Sequence, residues 1–353
     1  MRGAVRRRGR MPPVAGSPWR LTAGAGLALT AVLFLLPLLT VRGEGGGAAG
    51  ETENAPLTAT APEGQTTRAA RDRGHIVKLL QPDGTVEELT MADYLFGVVA
   101  AEMPAAFEEE ALKAQACAAR TYTVVRQASA HAAHPQADVC TDSGCCQAYV
   151  ERQAAETRWG ISAGTYSAKI SQAVADTDGL GILYQGAPIQ AVFFSSAPGQ
   201  TADAVAVWGS QVDYLKSVSS PERDEVPNYR SQVVLTAEEV RSRVLAAYPG
   251  ADLSGDPSGW FGTPASSGGA VTSIPVGGVT LTGSQVRTLF SLRSAAFTVA
   301  WDGTSFTFSV TGYGHGVGMS QYGANAMAKE GSSFRDILTW YYTGAQVDDI
   351  WAE

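Results

Sequence analysis

Residues 94–122 read YLFGVVAAEMPAAFEEEALKAQACAARTY. Two helices are written into this stretch. An apolar run from Leu95 to Ala101, broken only by Gly97, follows Thr90 and Asp93, whose spacing is an acidic variant of the capping box. The first helix is therefore expected to start at Thr90 and run through Ala101, with Pro104 interrupting it. A second helix is expected from Glu108 to Ala130, opening on Glu108, Glu109 and Glu110, where the positive end of a helix favours acids. Its alanine content suits close packing against neighbouring elements.

Glu102 ends the apolar run and precedes Met103-Pro104, so its carboxyl stands where a helix stops against apolar neighbours. Desolvation there favours the protonated form, which a general acid needs at neutral pH. A solvated carboxylate at a helix end is the competing reading. Lys113 and Arg120 are two helical turns apart and share one face, a cationic wall for a substrate. Glu109, four residues before Lys113, offers that lysine an ordinary surface ion pair instead.

Outward from these helices, short strands and helices follow one another without a regular βαβ period. This predicts an α+β fold in which mixed helices and short antiparallel strands form a groove. Hairpins are expected at 76–80 with 85–89, at 181–184 with 189–194, and at 297–301 with 305–310 across Asp302-Gly303. Thr236 and Glu239 form a capping box for a helix to about Tyr248, and two short helices close the chain at Ser320–Glu330 and Ser333–Tyr341. The Gly-, Ser- and Pro-rich stretch from Gly250 to Gly278 is expected to be a mobile insertion.

In the other direction, residues 21–41 (LTAGAGLALTAVLFLLPLLTV) carry no charge and are long enough to cross a bilayer as a helix. Seven arginines and no acid lie in residues 1–42. This predicts a basic cytoplasmic segment over 1–20, a single-pass membrane anchor over 21–41, and an extracytoplasmic remainder. A cleaved signal peptide ending near Ala48-Ala49 is the alternative. Residues 43–74, rich in Gly, Ala, Thr and Glu, are expected to be a flexible tether to a body over 75–350.

Beyond residue 42 the chain carries 19 basic and 34 acidic groups, a net charge of −15. A surface of that sign repels phosphate backbones and argues against nucleic acid as a partner. With 45% hydrophobic residues in a chain of 353, wholesale disorder is excluded.

Two further clusters carry chemistry. The segment HAAHPQADVCTDSGCCQAY (131–149) holds His134, Cys140, Cys145 and Cys146, the N and S donors of a closed tetrahedral zinc site. A disulfide from Cys140 to Cys145 or Cys146 is equally compatible with an exported protein. Cys117, inside the alanine-rich helix, reads as a small buried hydrophobe. The segment GYGHGVGMSQYGANAMA (312–328) interleaves glycines with His315, Ser320, Gln321 and Tyr322. Such a loop suits hydrogen bonding along a polyhydroxylated ligand, or a tight turn before a helix.

Taken in order, YLFGVVAAEMP, EALKAQACAARTY, CCQAY, FFSSAPGQT with VWG, and GHGVGMSQYGANAMAKEG resemble the SpoIID family, which is related to the LytB amidase enhancers. The stretches span about residues 75 to 345. The resemblance implies a membrane-anchored lytic transglycosylase acting on peptide-stripped peptidoglycan strands during forespore engulfment, in company with a cell-wall amidase and membrane partners. It implies Glu102 as catalytic acid and Lys113 and Arg120 as substrate-handling cations. Ser195, Ser196, Gln200, Thr201, His315, Ser320, Gln321 and Tyr322 would line the groove. It further implies a structural zinc at His134, Cys140, Cys145 and Cys146, although Cys145 stands where some relatives have His. Ala197-Pro198 replaces a common Ser-Gly. A glycan-binding module without turnover and a zinc hydrolase are the alternatives, the latter needing an open metal position.

Overall fold

Thr90 ends one element and starts the next. In the computed structural model, which describes residues 70–129 and 132–352, the first elements are helix α1 (Ala70–Arg73) and strands β1 (Ile76–Leu80) and β2 (Val86–Thr90). The two strands pair antiparallel with Val77 opposite Leu89. Thr90 then caps helix α2 (Met91–Glu102), its hydroxyl accepting the Asp93 N–H at 3.2 Å. Tyr94, Leu95, Phe96, Val98 and Val99 are all buried, so α2 is covered on every side. It ends at Glu102 because Pro104 forces Met103 into extended backbone, φ −120° and ψ 144°. The expected anchor over 21–41, the basic segment before it and most of the tether lie outside the described residues. Among the described residues no helix is long and apolar enough to cross a membrane. The tether was expected to reach Gly74, yet α1 already belongs to the folded body, held by the buried side chain of Asp72.

Helix α3 (Glu109–Gln127) forms the axis of the first core. Ala111, Ala114, Ala116, Ala118 and Ala119 are buried and let α2 and later helices approach closely. Cys117 is fully buried among them, and burial pushes its thiol up to about 11. Strand β3 (Val139–Cys140) adds to β1 in parallel. Next come helices α4 (Arg152–Trp159) and α5 (Ala163–Asp176), and strands β4 (Leu180–Tyr184), β5 (Ala187–Pro188) and β6 (Phe193–Phe194).

The hairpin expected from 181–184 to 189–194 is only partly formed. The strand pairing covers Tyr184 with Ala187 and Leu183 with Pro188, and a last bond runs from the Ile189 N–H to the Ile182 carbonyl at 3.1 Å. The chain then leaves the sheet, and β6 pairs in parallel with the later strand β13 (Met319–Ser320) instead. Parallel ladders at β1/β3 and β6/β13 thus join the antiparallel ones that the sequence predicts.

After helix α6 (Ala204–Trp208) the chain builds a second core from β7 (Arg230–Thr236), α7 (Ala237–Ala247), β8 (Ala265–Ser267), β9 (Ala270–Val276), β10 (Val279–Thr282), α8 (Gly283–Phe290), β11 (Phe297–Trp301) and β12 (Ser305–Thr311). The predicted capping box of Thr236 and Glu239 is formed. Along β12, Phe306, Phe308 and Val310 face inward while the residues between them do not, the period-2 signature of a half-buried strand. The mobile insertion expected over 250–278 is instead part of this core. Trp260, Val271, Ile274 and Val276 are buried in it, and Phe261 packs 5.1 Å from Phe306. Four of the eight glycines of this stretch sit in its two tight turns, at 268–269 and 277–278.

The chain returns to the first core through β13 (Met319–Ser320), α9 (Gln321–Lys329), α10 (Phe334–Tyr341) and β14 (Gln346–Asp349), which pairs antiparallel with β4. The result is an α+β molecule whose strands form small sheets of two or three.

Candidate active site

Because Pro104 stops α2, Glu102 is the last residue of a buried helix and its carboxylate projects beyond it. Two donors hold it. The Ala148 N–H reaches Oε1 at 2.7 Å, and Gln321 Nε2 reaches Oε2 at 3.1 Å. The first donor is there because α2 has a glycine one turn earlier. A Cβ on Gly97 would stand 2.2 Å from the Tyr149 ring and 2.8 Å from the Val150 carbonyl. Without one, segment 148–150 lies on the helix, and the Val150 N–H donates to the Gly97 carbonyl at 3.2 Å.

The second donor depends on the β6/β13 ladder. Gly318 (φ +79°) lets the backbone pass Val192, where a Cβ would meet the carbonyl oxygen at 2.1 Å. Ser320 then caps α9 by accepting the Gly323 N–H, and Gln321, 5% exposed, is the first residue of that helix. Burial pushes the Glu102 carboxyl above the usual carboxylate range, and the Ala148 and Gln321 donors only partly offset this.

Glu102 opens into a pocket of about 280 Å³ with Tyr122, Cys145, Cys146, Gln147, Trp208 and His315 on its walls. A second pocket of about 220 Å³ shares Tyr122, Val192 and Trp208 and adds Arg126 and Gln190, extending the cavity into a groove. Among the described residues that line either pocket, Glu102 is the only carboxylate. Trp208, 45% exposed, presents an aromatic face of the kind that stacks on sugar rings. His315 donates from Nε2 to the Phe193 carbonyl at 2.9 Å and accepts the Val317 N–H at Nδ1, 3.2 Å away. Burial pushes it down to about 4. It is a neutral brace of the groove wall, with neither nitrogen free for proton transfer at neutral pH.

The cations expected to handle substrate are elsewhere. Arg120 has a fully buried side chain whose Nε lies 2.9 and 3.0 Å from the Asp72 carboxylate oxygens, and its Nη1 donates to the Leu180 carbonyl. It ties α1 to α3 and β4. Lys113 pairs with Glu110 at 2.9 Å and Asp176 at 3.3 Å, not with Glu109. The shared face of these two cations is real, but it turns toward α1, α5 and β4. Gln115, two residues beyond Lys113 and so about 200° around the helix, meets Gln321, the side chain that holds Glu102, with Gln321 Nε2 3.5 Å from its Oε1. Tyr122, seven residues on, continues this stripe, and Arg126 follows one turn later, donating to the Tyr122 hydroxyl at 3.0 Å. The same two-turn spacing that linked Lys113 to Arg120 links Gln115 to Tyr122. This stripe, polar and ending in Arg126, is the one that meets the site.

Most of the expected polar lining is internal scaffolding. Ser195 accepts the Tyr322 N–H on its carbonyl, and Ser196 is buried on a bridge to Tyr313. Thr201 is buried, with its hydroxyl accepting the Val218 N–H, while Gln200 is exposed. Ser320 is buried and donates to Glu222, itself a buried carboxylate that also accepts the Ala197 N–H. Tyr322 packs edge-on against Phe107 at 4.9 Å. Of these groove candidates, Gln321 and His315 reach the Glu102 pocket.

His134, Cys140, Cys145 and Cys146 converge, their ligand atoms all within 4.8 Å of one another. His134 Nε2 lies 3.3 Å from Cys146 Sγ, and the two adjacent thiol sulfurs are 3.9 Å apart. The edge of a tetrahedron around zinc with metal–sulfur bonds of about 2.3 Å is close to 3.8 Å, so the donor set fits such an ion. The hydrogen bond from His134 Nδ1 to the Ala137 carbonyl, at 3.2 Å, leaves Nε2 with the lone pair.

Comparison with known proteins agrees with this architecture. The family model described as Stage II sporulation protein matches residues 82–184, which contain Glu102, α3 and the Cys cluster. Stage II sporulation protein D of Bacillus subtilis (strain 168) is 38% identical over 91% of this chain and 94% of its own length. The protein of the same name from Bacillus amyloliquefaciens is 37% identical over 75% of this chain and 76% of its own. Amidase enhancer of Bacillus subtilis is 28% identical over 71% of this chain and 39% of its length. With that identity sustained across nearly the full length of a relative, the chain belongs to the SpoIID (Stage II sporulation protein) family.

Proposed function

We propose that the protein acts on the cell wall in sporulation as a lytic transglycosylase, cutting peptide-stripped peptidoglycan strands with Glu102 as its only acid–base group. The observation that carries this reading is a single buried carboxyl, raised above its usual range, as the one carboxylate of a groove. Ordinary glycosidases need two carboxyl groups flanking the bond, one as acid and one as base or nucleophile. One suffices if the nucleophile belongs to the substrate. Glu102 donates its proton to the bridging oxygen as the C1–O bond breaks. The muramic C6 hydroxyl then attacks C1 and returns its proton to the Glu102 carboxylate, leaving a 1,6-anhydro end without consuming water. Ala148 and Gln321 aim the carboxyl and stabilise the carboxylate formed midway.

His134, Cys140, Cys145 and Cys146 are the residues that would hold a structural zinc, which as a closed four-ligand ion supplies folding energy and no open position for water. Cys146 is two residues before Ala148, so the cluster braces the loop that delivers the Ala148 N–H to Glu102. The protein is read as anchored by residues 21–41 with its body outside the membrane.

The test is digestion of peptide-stripped and intact strands, followed by mass spectrometry for 1,6-anhydro ends. Such ends from stripped strands are expected; stripped strands that bind without any new ends would sink the reading. That second outcome would favour a glycan-binding enhancer of an amidase, the reading supported by the similarity to the relative named Amidase enhancer. Chelation of a bound zinc should lower the melting temperature and slow cleavage, because the metal supports the loop and takes no part in proton transfer. Full activity in metal-free, reduced protein would remove the zinc from this account.

A further inference from the structure

Where α8 ends lies a further cavity, open to solvent and about 420 Å³ in volume, bordered by Arg287, Thr288, Ser291, Arg293 and Tyr313. The body has acids in excess, yet among the described residues neither arginine has a carboxylate within ion-pair distance. Arg293 Nε is buried and has no hydrogen-bond partner, a donor taken from water with nothing supplied in exchange. Its guanidinium lies 4.0 Å over the Tyr313 ring, which fixes one flat face and leaves the in-plane donors available. Burial also pushes the Arg287 guanidinium below its usual value, the direction expected when no acid compensates for lost water.

The cavity adjoins the Glu102 groove. Tyr313 is two residues before His315, which lines that groove, so their Cα atoms are at most about 7 Å apart. Arg287 is close enough for its charge to act on His315, and Arg293 for its charge to act on Tyr322. A bound strand crossing the groove would pass both cavities.

We propose that Arg287 and Arg293 form a carboxylate-binding subsite for the free lactyl carboxylate of a peptide-stripped muramic acid, on a sugar neighbouring the cleaved bond. This inference rests on reading the groove as a glycan site and deepens it. While a stem peptide is attached, the lactyl carbonyl is part of a neutral amide. Removing the peptide exposes a carboxylate, the planar anion that guanidinium forks match. Selection of stripped strands then has a chemical basis, since peptide removal itself creates the group these arginines recognise.

The experiment measures binding by full-length protein carrying Glu102→Gln, which should hold a strand without cutting it. Peptide-stripped strands are compared with the same strands after conversion of their carboxylates to methylamides. The amide strands should bind roughly ten- to a hundredfold more weakly, as expected for losing charge-assisted hydrogen bonds. Adding Arg287→Ala should weaken binding of the acid strands and shrink the difference. Adding Arg293→Lys, which keeps the charge and loses the fork, should do so in part. The amide comparison needs no change at either arginine, so it stands even if those variants fold poorly. Equal binding of acid and amide strands would overturn the subsite and leave the glycan reading intact. Binding of neither strand would overturn both. If the strands bound equally while a phosphate-bearing wall polymer bound tightly and lost binding with Arg287→Ala, the pair would belong to that polymer and not to the muramic carboxylate.

Discussion

The two faces of α3 divide the labour of the molecule. One carries Lys113 and Arg120, charged and eye-catching in the sequence, and spends them on ion pairs with Glu110, Asp176 and Asp72. The other carries Gln115, Tyr122 and Arg126, and faces the carboxyl of Glu102 and its groove. A fully buried arginine has to be compensated on the spot, so its charge is unavailable to a ligand. The face that meets a substrate can keep polar groups less tightly committed: Gln115 Nε2 is buried without a partner and within reach of the Glu102 cluster. Ion pairs mark where this helix is fastened. Polar groups outside those ion pairs, Arg126 among them, face the groove.

The sharpest way to break this contrast is at Glu102. Changing Glu102→Gln keeps shape and removes the transferable proton, so release of anhydro ends should fall by about 10² to 10⁴ while strand binding persists. The same change should stabilise the fold at high pH. The folded-state value of Glu102 is raised, so its contribution is fully present below the unfolded pKa and is lost as pH rises through the folded one. Melting curves of parent and variant should therefore diverge on the alkaline side; divergence only in acid would contradict the assignment.

Next in size is Arg120→Ala, which leaves Asp72 buried and unpaired and should cost about 3 to 5 kcal/mol of stability. If the protein that remains folded cuts strands at the parental rate with unchanged KM, the arginine is a fastening. A raised KM in folded protein would restore it to the groove.

Removing the Gln321 donor with Gln321→Leu should raise the Glu102 carboxyl further, moving the alkaline limb of the pH–rate profile upward. An unmoved limb would mean that the limb belongs to another group. In acid a different group limits the groove. His315 is held at about 4 against about 6.5 when unfolded, so the stability it contributes above that range is lost as pH falls from about 6.5 toward about 4. The smallest effect is expected from Lys113→Ala, a change of about 0.5 to 1 kcal/mol at most and no change in cleavage.

Local signals carried much of the fold. The Thr90 and Thr236 caps, the stop at Pro104 and the alternation of β12 all depend on residues a few positions apart, and such patterns can be read directly from a chain. What could not be read depends on distant partners. The switch of Phe193–Phe194 from a hairpin to a parallel ladder with Met319–Ser320 is one case, and the use of Gly- and Pro-rich residues 250–278 in an aromatic core is another. The site divides in the same way. Glu102 was marked by its place between an apolar run and a proline, and Gln321 stood within a loop already singled out. Gln115 and Tyr122 lay in plain view, but nothing local said which of two i, i+7 stripes faced inward. Arg120 was misplaced because Asp72, its partner, falls at the end of what composition marks as a tether.

The Gln321 contact to Glu102 spans 219 residues. Synthesised from the N-terminus at roughly 5 to 20 residues per second, the chain would carry its acid for some ten to forty seconds before the residue that aims it exists. If the protein cuts the wall as proposed, one built this way would be harmless in pieces. Chains that stall or are clipped before β13 lack both Gln321 and the ladder that seats it, so such fragments should release no anhydro ends. On the proposed function, completion of the polypeptide would act as the safety catch.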